Sequence, residues 1–294
     1  MTKLDSIVSD IEANIGQSLA RYNLSPVSGG SINTAYKLQA NGHYYFIKLN
    51  QPHLVSMFEA EAHGLEEMRA LDCVRIPEVI CVGQGDGHSY IVLEYIELGS
   101  LRGNSAKLLG RQLAQLHNHT QAYFGWDINN TIGSTAQHND REHDWSTFWQ
   151  HHRLGAQLKF AARNGFNGHL QSKGQQLLEN LHVFFAGYTP TPALLHGDLW
   201  GGNAGADSQG NPVIFDPACY YGDREADIAM TELFGGFGGD FFSAYQAEYP
   251  LDSGYKTRKT LYNLYHIINH LNLFGGGYLG QAESMIEQLL TEIK

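Results

Sequence analysis

The feature that most constrains this 294-residue chain is a glycine-rich segment at 194–203, with the sequence LLHGDLWGGN. It places Asp198 and Asn203 five positions apart, and an apolar run at 213–215 leads into a further acidic residue, Asp216. Phosphoryl transfer from ATP needs such a set: an Asp that orients and deprotonates a hydroxyl, an Asn for one Mg²⁺, and a later Asp for the metal ions that bridge the phosphates. The spacing predicts Asp198 as catalytic base and Asn203 and Asp216 as Mg²⁺ ligands. Taken singly, each could instead be an ordinary turn former.

Length and composition fit an ordinary globular protein. With 43% hydrophobic and 17% charged residues, a disordered or collagen-like chain is excluded, and the length suffices for one large domain or two lobes. The net charge of −11 disfavours non-specific binding to nucleic acid or to anionic membranes, so neither is expected as a partner. ATP remains compatible, because Mg²⁺ and a few local cations offset its phosphates.

The cysteines and the N-terminal segment bear on the cellular compartment. Cys73, Cys81 and Cys219 are scattered and form no CxxC pair, so neither a zinc site nor a disulfide framework is expected. Acidic residues interrupt the apolar positions of residues 1–17, which argues against a signal peptide. No apolar run approaches the roughly 20 residues that span a bilayer. We therefore expect a soluble, cytoplasmic protein.

The hydrophobic pattern changes character along the chain. Helical spacing at 4–19 and 55–71 frames strand-like runs at 35–39 and 44–49, joined by a hairpin signal at Asn41-Gly42. Two more strands are expected at 79–82 and 90–95. After Gly103 the pattern is mostly helical, with helices expected over 105–119, 145–164, 168–185, 222–235, 239–248, 255–274 and 280–293. We expect an α+β fold of two lobes: a small β-rich lobe at 1–97, which would bind ATP, and a larger, mostly helical catalytic and substrate lobe at 98–294.

A glycine-containing turn precedes the first of these strands. Glycines allow main-chain N–H groups to approach phosphates closely, because no Cβ atom intervenes. The residues concerned are Gly29, Gly30 and Ser31. An ordinary turn before a strand is the simpler alternative, since the match to a G-x-G-x-x-G loop is incomplete.

Lys48 lies inside an apolar strand-like run. A lysine in such a run is costly to desolvate unless it is paired or extends to water, so an edge-strand lysine facing solvent is one alternative. The functional alternative places Lys48 on the α- and β-phosphates, paired with a glutamate of the next helix. Glu59 and Glu61 are the candidates, and roughly 200° of helix rotation separates them, so both cannot face Lys48. We prefer Glu61.

The segment Glu94-Tyr95-Ile96 ends the last strand before the change to helical pattern. A hinge at this point would offer main-chain N–H and C=O groups to adenine. The identity of the side chains matters little for such contacts, so this prediction rests on position alone.

Three parts of the chain together resemble the fructosamine kinase family. They are Lys48, the segment 195–203, and the segment 214–227 with the sequence IFDPACYYGDREAD. The resemblance extends over nearly the whole chain and includes 124–130, 145–157 and 269–277. This family is similar to aminoglycoside phosphotransferases and has the protein-kinase-like fold, which the resemblance implies here.

The resemblance implies ATP- and Mg²⁺-dependent phosphorylation of the sugar 3-hydroxyl of a ketosamine, after which the adduct is unstable and the amine is released. Ribulosamines and erythrulosamines are the expected substrates, with fructosamines as a further substrate. A free ketosamine and a glycated protein side chain both remain open, as does the oligomeric state. The alternatives are another small-molecule kinase of the aminoglycoside or choline kinase group, and a non-catalytic nucleotide-binding regulator.

Two departures from related sequences limit what the resemblance implies. Ser31 occupies a position where some relatives carry cysteine, so a redox switch through a loop disulfide is not expected. Asp216 is followed by Pro217 where protein kinases have Phe-Gly, so no phenylalanine-driven activation flip is expected. The resemblance also suggests that Asp227 braces the catalytic loop, although a favourable acid in the first turn of a helix is an equal alternative.

Histidines and tryptophans provide the remaining candidates. His196 is expected to anchor the loop without a chemical role. His266 and His270 have the i, i+4 spacing of a zinc pair, but no third ligand is evident, so we interpret them as ordinary helix histidines. Core positions are expected for most of the tryptophans, and Trp200 is the best candidate for a sugar contact because it follows Asp198 by two residues.

Overall fold

The computed structural model describes residues 4–19, 21–27 and 32–293. The chain divides into two compact units. The first unit comprises Met1–Ser100 and Gly205–Asp216, and the second comprises Leu101–Ala204 and Pro217–Lys294. The predicted turn at Gly29, Gly30 and Ser31 lies outside the described residues. Within the described parts of the chain, no helix combines the length and the apolar character that crossing a membrane requires.

A five-stranded antiparallel sheet with two helices forms most of the first unit. The strand order is β1-β2-β3-β5-β4, and the elements in chain order are α1 (Asp5–Ile15), β1 (Tyr22–Val27), β2 (Thr34–Ala40), β3 (His43–Asn50), α2 (Val55–Ala70), β4 (Val79–Gly85) and β5 (His88–Glu94). Buried residues of α1, including Ile7 and Ile11, join Leu38, Ile47 and Val92 of the sheet in one hydrophobic core.

Local turn chemistry sets the register of this sheet. Asn41 and Gly42 have φ values of 51° and 80°, as a type I′ turn requires, and they pair β2 with β3 as predicted. Asp86 and Gly87 make the same kind of turn between β4 and β5, with φ values of 53° and 78°. In this register Lys48 lies between Ala35 and Ile91.

The second unit and the segment 205–216 contain the remaining elements. They are α3 (Asn104–His117), β6 (Asn130–Ile132), β7 (Thr135–Gln137), α4 (Trp145–Phe148), α5 (Gly155–Arg163), α6 (His169–Glu179), β8 (Ala193–Leu195), β9 (Ala204–Ala206), β10 (Pro212–Ile214), β11 (Tyr220–Gly222), α7 (Glu225–Leu233), α8 (Gly239–Glu248), α9 (Tyr255–Phe274) and α10 (Leu279–Glu292). Short two-stranded sheets pair β6 with β7, β8 with β11, and β9 with β10. The expected α+β class is confirmed.

Several predicted helices match closely, and others are interrupted. Helices α2, α8 and α9 follow the predicted bounds to within one residue. The helix expected over 145–164 is broken by a π-helical turn at Trp149–Leu154, where the main chain of Gly155 comes so close to the Gln150 carbonyl that a Cβ atom would lie 2.1 Å from it. The helix expected over 168–185 ends at Glu179 and continues as a 3₁₀ turn. The first helix ends early because Gly16 adopts the left-handed conformation.

Strand β1 and the three-residue strands other than β10 were not predicted. The burial pattern of β1 lacks the alternation that marks a half-buried strand, and it contains Pro26, which is tolerated at a sheet edge. Among the short strands, only the apolar run that becomes β10 carried a signal. Strands of three residues are too short for periodicity to identify.

Close packing of α3 against α8 depends on Gly110. A Cβ atom at this position would lie 2.3 Å from the main-chain oxygen of Phe241 and 3.0 Å from the nitrogen of Tyr245. The clash would be with main chain, which cannot move aside as a flexible side chain can. The glycine therefore allows the two helices to approach each other in the core of the second unit.

We predict that Gly110→Ala lowers the free energy of unfolding by about 1–3 kcal/mol, because the added methyl overpacks the α3–α8 interface. Gly280→Ala is the matched control: Gly280 lies in α10 with open space where the methyl would go, so its stability should be unchanged or raised by less than about 1 kcal/mol. Denaturant titration of both variants tests this, and equal stability of the two would contradict it.

Candidate functional site

Lys48 is a buried charged residue of the first unit that two ion pairs hold. The residue is only 5% exposed, and its Nζ atom lies 2.7 Å from Oε1 of Glu61 on α2 and forms a second ion pair with Asp216. Burial alone would lower the Lys48 pKa, but the Asp216 and Glu61 carboxylates outweigh that effect and raise the pKa. Lys48 therefore carries its positive charge inside the unit, balanced by two carboxylates.

Helix geometry decides which glutamate faces this lysine. Glu61 is largely buried beside Lys48, and burial raises its pKa against the attraction of the ammonium. Glu59, two positions earlier, is exposed to solvent. The partner of Lys48 is thus Glu61, the preferred one of the two candidates.

Asp216 follows the buried strand β10 and has an unusual main-chain conformation. Its φ is +59°, a left-handed value that is uncommon outside glycine, although Asp tolerates it better than most residues. Its carboxylate pairs with Lys48 and its side chain remains 40% exposed. A strained, half-exposed acid held by a buried cation is typical of a functional position.

The segment Glu94-Tyr95-Ile96 is engaged with neighbouring main chain. The Glu94 N–H donates to the Glu78 carbonyl at 2.8 Å, and the Tyr95 N–H donates to the Tyr44 carbonyl at 3.4 Å. The Glu94 carboxylate accepts a hydrogen bond from Arg75 at 2.7 Å. The side chain of Glu94 is therefore part of an ion pair on the surface of the unit, and the N–H groups of Glu94 and Tyr95 serve the fold.

In the second unit, Asp198 and Asn203 hold each other in the loop after β8. The Asn203 amide nitrogen donates to the Asp198 main-chain carbonyl at 2.9 Å and to its carboxylate Oδ2 at 3.3 Å. The Asp198 N–H donates to Nδ1 of His196 at 3.3 Å, as expected for an anchoring histidine. Because the amide nitrogen faces Asp198, the other amide atom of Asn203 is an oxygen, the type of ligand that Mg²⁺ binds.

Asp227 braces the same loop from the first turn of α7. Its carboxylate accepts hydrogen bonds from the main-chain N–H groups of His196 at 2.7 Å and Gly197 at 2.8 Å. Nε2 of His117 lies 3.2 Å away, and Nδ1 of the same ring lies 2.7 Å from the Tyr245 hydroxyl. The bracing role that the resemblance suggested is confirmed.

The environment of Asp227 favours its ionised form. Burial alone would raise the Asp227 pKa, but the hydrogen bond and charge of His117, the charge of His196 and the N–H group of Gly197 outweigh it and lower the pKa below the ordinary value of 3.8. The carboxylate is only 1% exposed, so each of its hydrogen bonds acts in a medium of low dielectric constant.

Gly197 is required where the catalytic loop meets the chain after Asp216. Its φ is +79°, and a Cβ atom would lie 2.1 Å from the main-chain oxygen of Ala218. The Ala218 N–H donates to the His196 carbonyl at 2.8 Å. The loop that carries Asp198 is thus attached to the segment two residues beyond Asp216.

A buried polar network, which no sequence motif indicates, holds the segment after Asp216. Its members are Asn130, Gln137, Asn139, Arg153 and Tyr265, which lie on β6, β7, the loop after β7, the π-helical turn and α9. Asn130 donates to the Cys219 carbonyl at 2.8 Å, and Gln137 donates to the Ala218 carbonyl at 3.2 Å. The amide carbonyl of Gln137 accepts from the Tyr265 hydroxyl at 2.6 Å.

Arg153 completes this network from a fully buried position. Its guanidinium donates to Oδ1 of Asn139 at 2.7 Å and to the His138 carbonyl at 2.8 Å, and it lies over the Tyr220 ring at 3.9 Å from the centroid. Scattered amide residues carry no spacing signal, so nothing in the sequence pattern alone linked them. The π-helical turn aims Arg153 into the network.

The segment 223–225 is structural. Asp223 accepts from the hydroxyls of Tyr188 at 2.9 Å and Tyr262 at 2.5 Å. Glu225 is fully buried and accepts from Arg258 at 2.7 and 3.1 Å, while burial raises the Glu225 pKa to about 7. This acidic pair therefore joins α7 to α9 and to the residues before β8.

The tryptophans divide as predicted. Trp126, Trp145 and Trp149 are buried, with exposures of 4% or less, and belong to the core of the second unit. Trp200 is 40% exposed and lies over Gly202, where a Cβ atom would be 2.3 Å from its ring. Because Gly202 has no side chain, the Trp200 ring can lie on the loop that carries Asp198.

His266 and His270 serve α9 and its surroundings. Burial lowers the pKa of His266 to about 3, and burial also lowers the pKa of His270, so both rings are neutral. Over 4–19, 21–27 and 32–293, no three or more His, Cys, Asp or Glu side chains are grouped so that they could hold a metal ion.

Comparisons with known proteins agree with one another. The sequence model of the family described as fructosamine kinase matches residues 3–292. A "Probable ketoamine kinase" of Synechocystis sp. is 47% identical over 290 residues, which are 97% of this chain and 96% of that protein. The "Protein-ribulosamine 3-kinase, chloroplastic" of Oryza sativa subsp. japonica is 42% identical over 282 residues, covering 95% of this chain and 82% of that protein.

Solved structures share the fold. A crystal structure from Haemophilus somnus, of a protein assigned as a fructosamine-3-kinase, has a TM-score of 0.88 at 28% identity and covers 97% of this chain and 96% of that one. The aminoglycoside phosphotransferase APH(4)-Ia has a TM-score of 0.63 at 14% identity, covering 96% of this chain and 98% of that one. The predicted protein-kinase-like fold is confirmed by these neighbours.

We predict that Asp227→Asn lowers the free energy of unfolding by about 1–3 kcal/mol, because two main-chain N–H groups lose a charged acceptor. The lowered pKa means that Asp227 stabilises the fold above pH about 4 and that this stabilisation is lost as pH falls through the folded-state pKa. The difference between wild type and variant should therefore shrink towards acidic pH in denaturant titrations.

Asp240→Asn is the matched control for this prediction, because Asp240 is an exposed acid in the first turn of α8. It makes the same change of charge without removing an acceptor from the loop. Equal effects of the two substitutions, or a difference that does not vary with pH, would show that Asp227 acts only as a helix N-terminal acid.

Proposed function

Because the chain belongs to the fructosamine kinase family, we propose that it is an ATP-dependent kinase that phosphorylates the 3-hydroxyl of ketosamines. The observation that carries the proposal concerns the charged and amide side chains expected for phosphoryl transfer. Within the described residues, each of them is held by partners inside its own unit. Lys48 and Asp216 are held by their ion pair, and Asp198 and Asn203 by the loop that Asp227 braces.

The side chains present fit ATP and Mg²⁺. Lys48 is a fixed, buried cation of the kind that binds nucleotide phosphates, and Glu61 would keep it oriented. Asn203 and Asp216 offer oxygen atoms, and Mg²⁺ is commonly bound by one or two such side chains together with substrate phosphates. We propose Ile96 as the main-chain contact for adenine, because the N–H groups of Glu94 and Tyr95 are engaged in the fold. Residues 1–97 would form the ATP-binding lobe.

The chemistry divides between these residues. Bound ATP with Mg²⁺ would supply the phosphoryl group and the charge that neutralises its oxygens. Asp198 would accept a hydrogen bond from the sugar 3-hydroxyl, orient it and take its proton. Asn203 holds the Asp198 main chain and carboxylate in place through its amide nitrogen. Phosphoryl transfer depends mainly on positioning and charge stabilisation, so this rigidity is the main contribution of the loop.

Ribulosamines and erythrulosamines are the proposed substrates, with fructosamines as a further substrate. The name of the rice relative states that it acts on protein ribulosamines, and the Synechocystis relative is named for ketoamines. A ketosamine carries a cationic amine next to the sugar, and the net charge of −11 suits such a substrate. Trp200 beside Asp198 is the proposed aromatic contact for the sugar.

Two alternatives are separable by experiment. A kinase for amino sugars or amino alcohols would share the fold, which the aminoglycoside phosphotransferase likeness shows without indicating a substrate. A non-catalytic nucleotide-binding protein would have no need to retain Asp198 with its bracing. Phosphate transfer to ribulose-lysine, fructose-lysine and aminoglycosides distinguishes these possibilities. Turnover of aminoglycosides alone would refute the ketosamine assignment.

We predict that Asp198→Ala lowers kcat for ribulose-lysine by about 10²–10⁴-fold, because the hydroxyl loses its base and its orienting group. ATP binding, measured by calorimetry, should be largely retained, since Asp198 is not proposed to contact the nucleotide. Unchanged turnover would contradict the proposed role. Loss of folding is checked by comparing the thermal unfolding of variant and wild type.

We also predict that Glu61→Gln lowers kcat/KM for ATP at least tenfold, which corresponds to about 1.4 kcal/mol, because Lys48 loses one of two fixed carboxylates. Glu59→Gln, on the exposed side of the same helix, is the matched control and should behave as wild type. A larger effect at Glu59 than at Glu61 would reverse the assignment of the partner.

A further inference from the structure

Five aromatic rings form a continuous strip on the second unit, here called the aromatic strip: Trp200, Phe234, His270, Phe274 and Tyr278. The ring centroids of Trp200 and Phe234 are 6.4 Å apart, and those of Phe234 and His270 are 4.8 Å apart. The His270 ring lies 5.4 Å from Phe274 and 5.3 Å from Tyr278. Trp200 and Phe234 are each 40% exposed, and Phe274 is 52% exposed. Exposed large rings in one contiguous group point to a binding surface.

One end of the aromatic strip is built into the catalytic loop. Trp200 follows Asp198 by two residues, and its ring lies over Gly202. At Gly236, which follows Phe234 by two residues, a Cβ atom would lie 2.7 Å from the Cα atom of Gly201. Close approach of two glycines therefore brings the end of α7 against the loop that carries the proposed base.

The other end lies further along α9. Tyr265 is close enough to Asp198 for the Asp198 charge to add to the rise in its pKa, which is raised to about 12 chiefly by burial. His270 and Phe274 follow Tyr265 by five and nine residues, which corresponds to about 7.5 and 13.5 Å along the helix axis. The aromatic strip therefore continues along α9 beyond Tyr265.

The central ring of the strip is a neutral hydrogen-bond acceptor. Nδ1 of His270 lies 2.8 Å from the His266 carbonyl, which can only accept, so Nδ1 carries the proton. Burial lowers the His270 pKa, so Nε2 is unprotonated and is an acceptor. No member of the aromatic strip carries a positive charge, and aromatic faces attract cations.

We propose that the aromatic strip binds the aminoalkyl carrier of the ketosamine, namely a lysine side chain whose terminal amine bears the sugar. The protonated amine, three bonds from sugar C3, would lie against the faces of Trp200 and Phe234, and the methylene groups of the lysine would pack further along the strip on the Phe234 and Phe274 rings. Eight bonds join sugar C3 to the lysine Cα atom, about 10 Å when extended, which exceeds the 6.4 Å between the Trp200 and Phe234 centroids. This inference rests on the proposed kinase function and adds a carrier specificity to it.

The test compares one sugar on two carriers. Ribulose is attached to the side chain of Nα-acetyl-lysine amide or to methylamine, and kcat/KM is measured for each. For wild type we expect the lysine carrier to be preferred at least tenfold. Phe234→Ala and Phe274→Ala should each reduce that ratio at least fivefold, mainly through KM, because the lysine methylenes lose their contact surface.

Ile128→Ala is the matched control: Ile128 is a 37% exposed apolar residue of the second unit outside the aromatic strip, so the ratio should stay at the wild-type value. Thermal unfolding of each variant shows that it is folded. A wild-type ratio near one, or phenylalanine variants indistinguishable from Ile128→Ala, would overturn the carrier site while leaving the kinase function intact. Absence of turnover with both carriers in wild type would instead refute the kinase function and the carrier site with it.

Discussion

The shape of the loop that carries Asp198 depends on the hydrogen bonds that the buried Asp227 carboxylate accepts. This carboxylate fixes the main-chain N–H groups of His196 and Gly197 directly before Asp198. A loop rich in glycine has much conformational freedom to lose, so it needs fixed acceptors to hold one shape. The Asp227 carboxylate provides them from the first turn of a helix, where its charge is also favourable. Asp227 therefore both holds the loop and occupies a favourable position in the first turn of α7.

Attachment of the loop continues on its other side through Ala218. The Ala218 N–H group donates to the His196 carbonyl, and the Ala218 carbonyl accepts a hydrogen bond from the Gln137 side chain. The polar network behind it is almost entirely buried and includes the guanidinium of Arg153. Buried polar groups are costly unless they are hydrogen-bonded, and among the side-chain atoms of this network only Nε of Arg153 is buried without a partner in the described residues. We infer that this network fixes the position of the loop that carries Asp198.

Much of the fold and of the candidate site could be predicted from local sequence rules. The Asn41-Gly42 turn follows from turn chemistry and the helix α9 from helical period, whereas helical rotation shows only that Glu59 and Glu61 cannot both face Lys48. The π-helical turn around Arg153 and the edge strand that contains Pro26 could not be predicted. They depend on which side chains the rest of the unit buries, and no local spacing records that.

Tertiary packing also decides where the aromatic residues lie. Tryptophans of one chemical type occupy opposite environments, with Trp145 buried and Trp200 exposed on the loop. The position of Trp200 relative to Asp198 distinguished it from the buried tryptophans. The contacts of Phe234 with Trp200 and with His270 depend instead on how three elements pack. The sequence thus indicated the residues proposed for the chemistry, and tertiary structure showed the exposed rings that continue from Trp200.

The most direct test of the account is the identity of the phosphorylated atom. Purified protein is incubated with ATP, Mg²⁺ and ribulose-lysine, and the product is examined by ³¹P and ¹³C NMR before and after it decomposes. The account predicts a phosphate ester on the oxygen of sugar C3, followed by release of lysine with its amine restored. A phosphate on any other hydroxyl, or ATP consumed without a phosphorylated sugar, would contradict it.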